Sequence, residues 1–565
     1  MRWLPDYFVG MYLRRISRRR KDGTEAAYFQ LAHKVRDERG RPRDEILYHF
    51  GRADAHVEDQ LRRLVASISR FLAPEDRARL EADVDSGGSQ VEVEHSASFG
   101  GAYLLDALWR RLGIDRALGD AFADRAFETD MERVIFAMVA NRALAPRSKL
   151  ALESWVGRRV AIPGLESVPV HTLYRAMDAL VDQGEAIQRA VFESTASLLN
   201  LEVDLLLVDT PSTYFEIEEA DEDGPRQFGH SKDHRSDRPQ VVIALAVTRQ
   251  GIPVRCWTVP GNTADASMVE TVQQDLSGWR LNRVVWVMDR GMAGEAQRTA
   301  LQRGGGQAIV GEKLRGGQPV VEQALKRPGR FRTIAENLEA KEIKVKNDSE
   351  ARRFVLVRNP AEAERGRHRR EEALEALKAE LERPASARDG AGHGRRGCNL
   401  FTHPVYRRYL KEDAKGRPVI DKAKVAAEER LDGKYLISTT DFSLSVTDVV
   451  LGFKQLADVE RAFRTLKSHL DLRPPHHYRP ERIEAHVLLC WLALLLVRVV
   501  ETETDTTWRR VREDMEDMAL VKLRGKDGAF QALSRPTTDQ ARHLKSLNIK
   551  PPARIRKAAP DPATA

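Results

Sequence analysis

Three acidic residues, each in a distinctive setting, are the best candidates for chemistry in this chain. Asp209 closes the apolar run of LLLVDTPSTYFE, Asp289 closes a second run in RVVWVMDRGM, and Glu460 sits in the amphipathic stretch GFKQLADVERAFRTLKSHLDLRP. The first two read as carboxylates at the ends of buried strands, where open α/β sheets place their ligand sites. The third reads as a carboxylate on a helix face. Three such groups brought together make a hard-oxygen cage for Mg²⁺, an ion suited to cutting and rejoining phosphodiesters. One Asp at a strand end is equally a turn or cap residue; two in one domain, joined by a hairpin, favour a site.

Around Glu460, Val459, Phe463, Leu466 and Leu470 recur at helix spacing and form a core stripe, with Glu460, Arg464 and Lys467 on the adjacent stripe. A carboxylate followed by two cations on one face suits a metal ligand beside phosphate clamps. The plain alternative is a surface Glu–Arg pair. Lys232, His234 and Arg235 occupy a polar loop leading into a core strand, as phosphate contacts or simply as a solvated loop. Neighbouring histidines such as His476 and His477 do not easily chelate one ion from a helix, so a structural or DNA-facing role is expected of them.

The elements that must position these residues belong to a chain of 565 residues, too long for one core. Its 42% hydrophobic content is enough to build buried cores, and its 31% charged content fits a soluble protein. The net charge of +8 is concentrated at the ends: residues 1–52 hold 13 Lys/Arg against 7 Asp/Glu, and residues 541–565 hold 6 against one. Both ends are candidate phosphate-contacting arms, or else solubilising charge. Cys256, Cys398 and Cys490 are far apart and form no C-x-x-C pair, which argues against a zinc finger or disulfide framework and fits a reducing cytoplasm. No apolar signal region opens the chain. Val487–Val497 is the most apolar stretch, about half the length needed to span a bilayer, and reads as a buried core helix ended by Arg498.

Along the chain, residues 8–52 alternate as a small β-ribbon, residues 55–82 turn helical, and Ser86–Ser89 makes a linker. Residues 99–200 are helical throughout, and basic residues at turns (Arg142, Arg147, Lys149, Arg175) leave a helix-turn-helix DNA reader open beside a plain bundle. From residue 203, DLLLVD, the hairpin PQVVIALAVT–VRCWTVPGN and NRVVWVMD begin a mixed sheet in an α/β domain. Between Asp289 and Glu460, strand-like KEIKVK, RRFVLVRN and KYLISTTD surround the charged helix REEALEALKAELER. A structureless loop of that size is improbable, so this block reads as an inserted domain.

These blocks resemble the DDE transposases of bacterial insertion sequences, of the broad "insertion sequence four" type. VDTPSTYFE is similar to the first-Asp motif, FGHSKDHRSDRPQVVIAL with PGNTAD to the blocks that follow it, VMDRGM to the second-Asp motif, and VERAFRTLKSHLDLRPPHHYRPERIEAHVLLCWLALLL to the block with the catalytic Glu. They lie in the family's order across residues 200–500, and the N-terminal ribbon resembles that of one branch. The resemblance implies an α/β architecture with an RNase H-like catalytic domain, interrupted by an inserted strand-containing domain and preceded by a β-ribbon and a helical domain. The implied boundaries are 1–95 (basic ribbon plus helix), 96–200 (helical), 201–312 (catalytic, first part), 313–450 (insertion), 451–510 (catalytic, second part) and 511–565 (basic tail).

It further implies Asp209, Asp289 and Glu460 as a triad for two Mg²⁺ ions, with Mn²⁺ able to substitute. Lys467 would contact transposon-end DNA. The expected partners are double-stranded DNA (ends and target) and a second copy in a synaptic homodimer, in the cytoplasm at the nucleoid and not at a membrane. The family's Tyr–Arg–Glu–Lys signature is half present: Glu460 and Lys467 match, but Phe453 and Leu456 stand at the Tyr and Arg positions. Neither can donate a hydrogen bond to phosphate. Competing readings are an aspartyl-nucleophile phosphatase, disfavoured because Pro211 occupies the place of its second acid; a domesticated DNA-binding protein without catalysis; and a nuclease that cuts without strand transfer.

Overall fold

The structure, a computed structural model, describes residues 11–19, 25–36, 42–68, 92–199, 205–209, 212–231, 235–276, 279, 285–288, 294–303, 306–315, 319–343, 352–382, 400–456, 465, 470, 472, 477–525 and 528–560. The chain divides into two compact units, one of residues 1–92 with 524–529 and 559–565, the other of residues 93–523 with 530–558.

In the first unit, β1 (Met11–Arg19), β2 (Glu25–Arg36) and β3 (Pro42–Arg52) form an antiparallel sheet in chain order. Arg14 of β1 reaches Gln30 at 2.9 Å and Asp44 at 3.0 Å, while Arg15 beside it is exposed. The helix Ala55–Ile68 follows, and the Asp54 carboxylate accepts a hydrogen bond from the Val57 N–H at 3.0 Å. The expected Ser86–Ser89 linker lies outside the described residues.

The second unit opens with β4 (Glu92–Ser98) and the helices Gly100–Arg111, Ile114–Ala121, Met131–Leu144, Lys149–Trp155, Val170–Asp182 and Gly184–Leu198. Around them stands the helix Pro480–Thr504, with proline at its first turn and every residue from Ala485 to Val497 buried. The expected Val487–Val497 core is therefore part of a longer helix that runs on past Arg498. That helix is long and apolar enough to cross a membrane, yet 89% of its most apolar window is buried inside the fold. It is apolar all round because helices pack on one side and a sheet on the other. One core joins Leu104, Phe136 and Leu180 of the helical segment, Leu494 and Leu495 of this central helix, and Leu207, Leu245 and Val287 of the sheet. Residues 96–200 thus share their core with the sheet.

The large sheet contains β5 (Leu205–Asp209), β6 (Ser212–Tyr214), β7 (Gln240–Val247), β8 (Pro253–Pro260), β9 (Val285–Met288), β10 (Gln307–Glu312), β11 (Arg332–Ala335), β12 (Leu338–Ile343), β13 (Arg353–Arg358) and, after β14 (Leu410–Glu412) and β15 (Pro418–Ile420), which pair only with each other, β16 (Lys434–Thr439). β5, β9 and β10 are parallel neighbours, and the other pairings are antiparallel. The order β11-β12-β13-β16-β10-β9-β5-β7 revises the expected insertion: four strands of residues 313–450 extend the same sheet. Alternation alone does not say which sheet a strand joins. What stands off the sheet is the segment between β13 and β16, where the helix Pro360–Glu382 packs Leu377 against Tyr409 and Leu410.

Residues 511–565, expected as a basic tail, are folded through Pro560. The helix Trp508–Glu516 leads to β17 (Ala519–Gly525), β18 (Gly528–Leu533), the helix Thr538–Ser546 and β19 (Ile555–Pro560), in a four-stranded sheet β19-β18-β17-β4. The Phe99 and Gly100 N–H groups donate to the Met518 carbonyl, and buried His543 meets Asp514 at 2.9 Å. Arg542, Lys545, Lys550 and Arg554 are exposed on this folded segment.

Two turn cations expected as DNA readers are interior. Arg142 donates to the Asn141 side chain and the Arg147 carbonyl, and Lys149 is 4% exposed; neither can reach a phosphate outside, whereas Arg147 and Arg175 are exposed. Burial, and secondarily the nearby Arg142 charge, push Lys149 down from 10.5 to about 7. In the unfolded chain this lysine keeps its ordinary value, so the unfolded state binds more protons between those two pH values, and stability climbs with pH across that window. Below it both states are protonated and the burial penalty is complete. Lys149→Met is therefore expected to raise the melting temperature by several degrees at pH 6.5, and by less than half as much at pH 9.5, in calorimetric scans. A gain independent of pH would place the ammonium in solvent.

Candidate active site

Asp209 is the last residue of β5, and its backbone stands opposite Leu245 of β7. On its other edge β5 runs parallel to β9, pairing Leu205 with Val285, Leu206 with Trp286 and Leu207 with Val287. β9 ends at Met288, so Asp289 is the next residue of the chain, though it lies outside the described residues, as do Glu460, Arg464, Lys467, Lys232 and His234. Of the expected triad, then, the structure fixes the backbone of one member and the strand leading to a second. The side chains of all three lie outside what is described.

The two faces of the sheet are distinct. Leu207, Leu245, Val285, Val287 and Ile309 belong to the core shared with the central helix, whereas Val208, Ala244, Trp286, Met288 and Val310 pack against Met268 and Val272 of the helix Asp265–Leu276. On the first face lies also the helix Val446–Lys454, started by a capping box in which Ser445 and Asp448 bond each other's backbone N–H. Phe453 and Leu456 pack against that core, with the Phe453 ring 5.9 Å from that of Tyr435. Their apolar character is used in packing. The chain passes out of the described residues after Leu456 and rejoins the same core at Leu470 and Leu472.

β6 continues β5 along one edge of β7, Tyr214 opposite Gln240, and leads to a tightly bonded loop. The Asp221 carboxylate accepts from the Arg226 backbone N–H at 3.0 Å and from its Nε at 2.8 Å. Burial works to raise that carboxyl, but the Arg226 side chain and backbone N–H outweigh it and hold it below its usual range. Gln227 exchanges backbone hydrogen bonds with Gln240, and the Gly261 N–H donates to the Pro225 carbonyl at 3.0 Å. Arg235, the described member of the expected phosphate contacts, is engaged within the protein: Asp237 takes its Nε at 2.9 Å and its Nη2 at 3.0 Å, and the guanidinium lies 4.9 Å from the Tyr214 ring centroid. The bond to Asp237 raises its already high pKa.

Sequence reasoning passed over Arg226. It is held between the rings of Phe215 and Tyr478, at 5.8 Å and 5.7 Å from their centroids, and no spacing rule connects positions 215, 226 and 478. His477 lies edge-on to Tyr174 at 6.4 Å and 5.5 Å from the His486 ring. Among the described residues, no group of three or more His, Cys, Asp or Glu is arranged to hold a metal ion.

Residues 205–496 match the family described as "Transposase DDE domain", and residues 13–79 match "IS1634 family transposase, N-terminal domain". Among solved structures, the cryo-EM structure of the piggyBac transposase synaptic complex with hairpin DNA aligns over 74% of this chain and 78% of its own, at 8% identity and a TM-score of 0.34. No curated protein matches the chain.

The glycine of the PGNTAD block is explained by the loop it supports. A Cβ at Gly261 would collide with the Gln240 and Gln227 carbonyl oxygens, neither of which can move without breaking the Gln227–Gln240 pair. Gly261→Ala should destabilise the protein by about 1–3 kcal/mol in denaturant titrations, whereas Gly119→Ala, in open space on a helix, should be neutral or stabilising. Equal effects would contradict the close approach at Gly261.

Proposed function

Because this chain belongs to the DDE transposases of insertion sequences, we propose that Asp209, Asp289 and Glu460 form its catalytic carboxylate triad. The enzyme is a DNA transposase, a nuclease and strand transferase. The observation that carries the residue assignment is the parallel register of β5 and β9. Leu207 faces Val287, so two residues further on each strand come positions 209 and 289. With neighbouring strands about 4.8 Å apart and consecutive Cα atoms about 3.8 Å apart, chain connectivity keeps the two Cα atoms within about 10 Å.

Side chains two apart on a strand share a face; continued to Asp209 and one residue past β9 to Asp289, that alternation would put both on the face of Leu207 and Val287. The chain on either side of Glu460 packs on that same face. An antiparallel hairpin on one side of β5 and parallel β9 and β10 on the other support an RNase H-like core.

Members of this family generally use divalent metal ions. An all-carboxylate donor set fits Mg²⁺, with Mn²⁺ able to substitute, and a pair of ions held there would activate the attacking oxygen and stabilise the leaving one. The protein then contributes position and charge. In this reading the ends of β5 and β9 would supply two carboxylates and the segment carrying Glu460 the third, while cations would orient the phosphodiester. Arg464, Lys467, Lys232 and His234 are assigned to DNA. Arg235 joins them once a phosphate replaces Asp237 as its partner. The substrate is double-stranded DNA at the element's ends and at the target, bound in the cytoplasm by a homodimer that holds two ends. The basic N-terminal sheet is assigned to end binding.

Asp209→Ala, Asp289→Ala and Glu460→Ala should each lower Mg²⁺-dependent cleavage and joining of the element's ends at least about a thousandfold, with end binding in EDTA retained. Normal cleavage by any one of them would remove that residue from the triad. Deleting residues 1–52 should weaken end binding and flatten its salt dependence; an unchanged slope of log affinity against log salt would show the basic sheet to be idle.

A further inference from the structure

Lys341 of β12, Arg358 of β13 and Lys434 of β16 are neighbours on the large sheet. Arg358 stands directly opposite Lys434 on one side and Glu339 on the other, and Lys341 is two residues along β12 from Glu339. By strand alternation the three cations prolong the face of Ile343, Leu356 and Leu436, which packs against Val321 and Ala324 of the helix Pro319–Lys326. The Phe331 ring ties two of them together: the Lys341 Nζ lies 5.2 Å and the Arg358 guanidinium 4.9 Å from its centroid.

Positive charge at this place exceeds its counter-charge. The Lys341 and Lys434 ammonium groups donate to the backbone carbonyls of Arg327 (2.8 Å) and Arg430 (2.7 Å), which satisfy hydrogen bonds without neutralising charge. Burial pushes both lysines below their usual range, and Arg358 and Lys341 push Lys434 further, against the pull of Asp432. The acids on these elements are mostly engaged: Glu339 by Arg358, Glu342 by Arg353, Glu322 by Lys326 and Asp432 by Arg370. Glu336, in the β11–β12 turn, is exposed, and against it stand the exposed Arg327, Arg330 and Arg332. An anion meeting Lys341, Arg358 and Lys434 would relieve a repulsion that the fold itself leaves standing. Phe331 is half-buried beneath Lys341 and Arg358, so it offers no open ring to a base, and the contact available is to phosphate. Lys434 lies on the Leu436 side of the sheet, whereas Val287 and Ile437 belong to the core on the other side.

We propose that Lys341, Arg358 and Lys434 form a binding site for a phosphate of the duplex DNA backbone, at a contact separate from the catalytic carboxylates. The proposal rests on duplex DNA being the substrate. It needs neither the triad nor a metal.

The test uses the full-length protein in EDTA and a labelled, mixed-sequence duplex of about 30 base pairs, with affinity read by fluorescence anisotropy across a salt series. The double variant Lys341→Gln, Lys434→Gln removes two charges and leaves Arg358 with Glu339. Its plot of log affinity against log salt should be shallower than the wild-type plot by about 1.8, with affinity at about 0.1 M salt lower by on the order of tenfold or more. The double variant Lys341→Arg, Lys434→Arg keeps the charges and should keep the wild-type slope. The melting temperature of the glutamine variant should equal or exceed that of the wild type, because two half-buried charges are gone. An unchanged slope in the glutamine variant, or an arginine variant as shallow as the glutamine one, would overturn the proposal. So would stabilisation of the wild type by inorganic phosphate that the glutamine variant loses while its DNA slope stands, since the site would then take a free anion. A wild type that ignores the duplex would sink the substrate reading as well; a wild type that binds it, with an unaltered glutamine variant, sinks this site alone.

Discussion

The parallel pairing of β5 with β9 is the constraint from which the remaining architecture follows. Both strands are buried on both faces, so their side chains must be apolar until the strand ends, and only there can a carboxylate sit beside solvent. Covering those faces requires a helix layer on each side. The helix Asp265–Leu276 supplies one, and the central helix Pro480–Thr504 supplies the other. The central helix must in turn be covered, which is why the helices between Gly100 and Leu198 share a core with the sheet. Arg498 closes the arrangement: its Nη2 donates to the Gln250 carbonyl at 3.0 Å, fixing the β7–β8 turn to the end of the helix's apolar run.

What the sequence discloses of this follows from which signals are local. Continuous apolar runs announced β5, β7, β8 and β9, because strands buried on both faces have no polar alternation to confuse them with surface elements. The all-round apolar stretch announced the central helix for the same reason. Partnership between distant segments was not local and was not visible. The strands flanking the helix Pro360–Glu382 joined the large sheet, and β4 joined strands more than four hundred residues away. Arg142 and Lys149 looked like surface cations since nothing in a turn motif reports what covers it. The acids of the site were legible only through their motifs. For Asp209 the structure adds a register position; for Asp289 and Glu460 it adds the elements that lead to them.

A division of labour emerges from the charges. Of the carboxylates proposed for chemistry, Asp209 ends β5 and Asp289 follows the last residue of β9, two neighbouring strands held in parallel register. Cations on the segment after β6 and in the first turn of the central helix are restrained by acids of their own: Arg226 by Asp221, Arg235 by Asp237, Arg482 by Asp178. Each pair keeps a guanidinium pre-oriented at little conformational cost, so that DNA meets a formed surface. The family match across residues 205–496 gives this arrangement its function, cutting and joining DNA strands.

The central claim is that residues 209, 289 and 460 converge on one cation site, and anomalous diffraction from crystals of the full chain grown with Mn²⁺ examines it most directly. The account predicts anomalous density within about 2.0–2.3 Å of carboxylate oxygens from all three residues, on the face of the sheet that carries Leu207 and Val287. Manganese bound elsewhere, with these carboxylates pointing to separate regions, would contradict it.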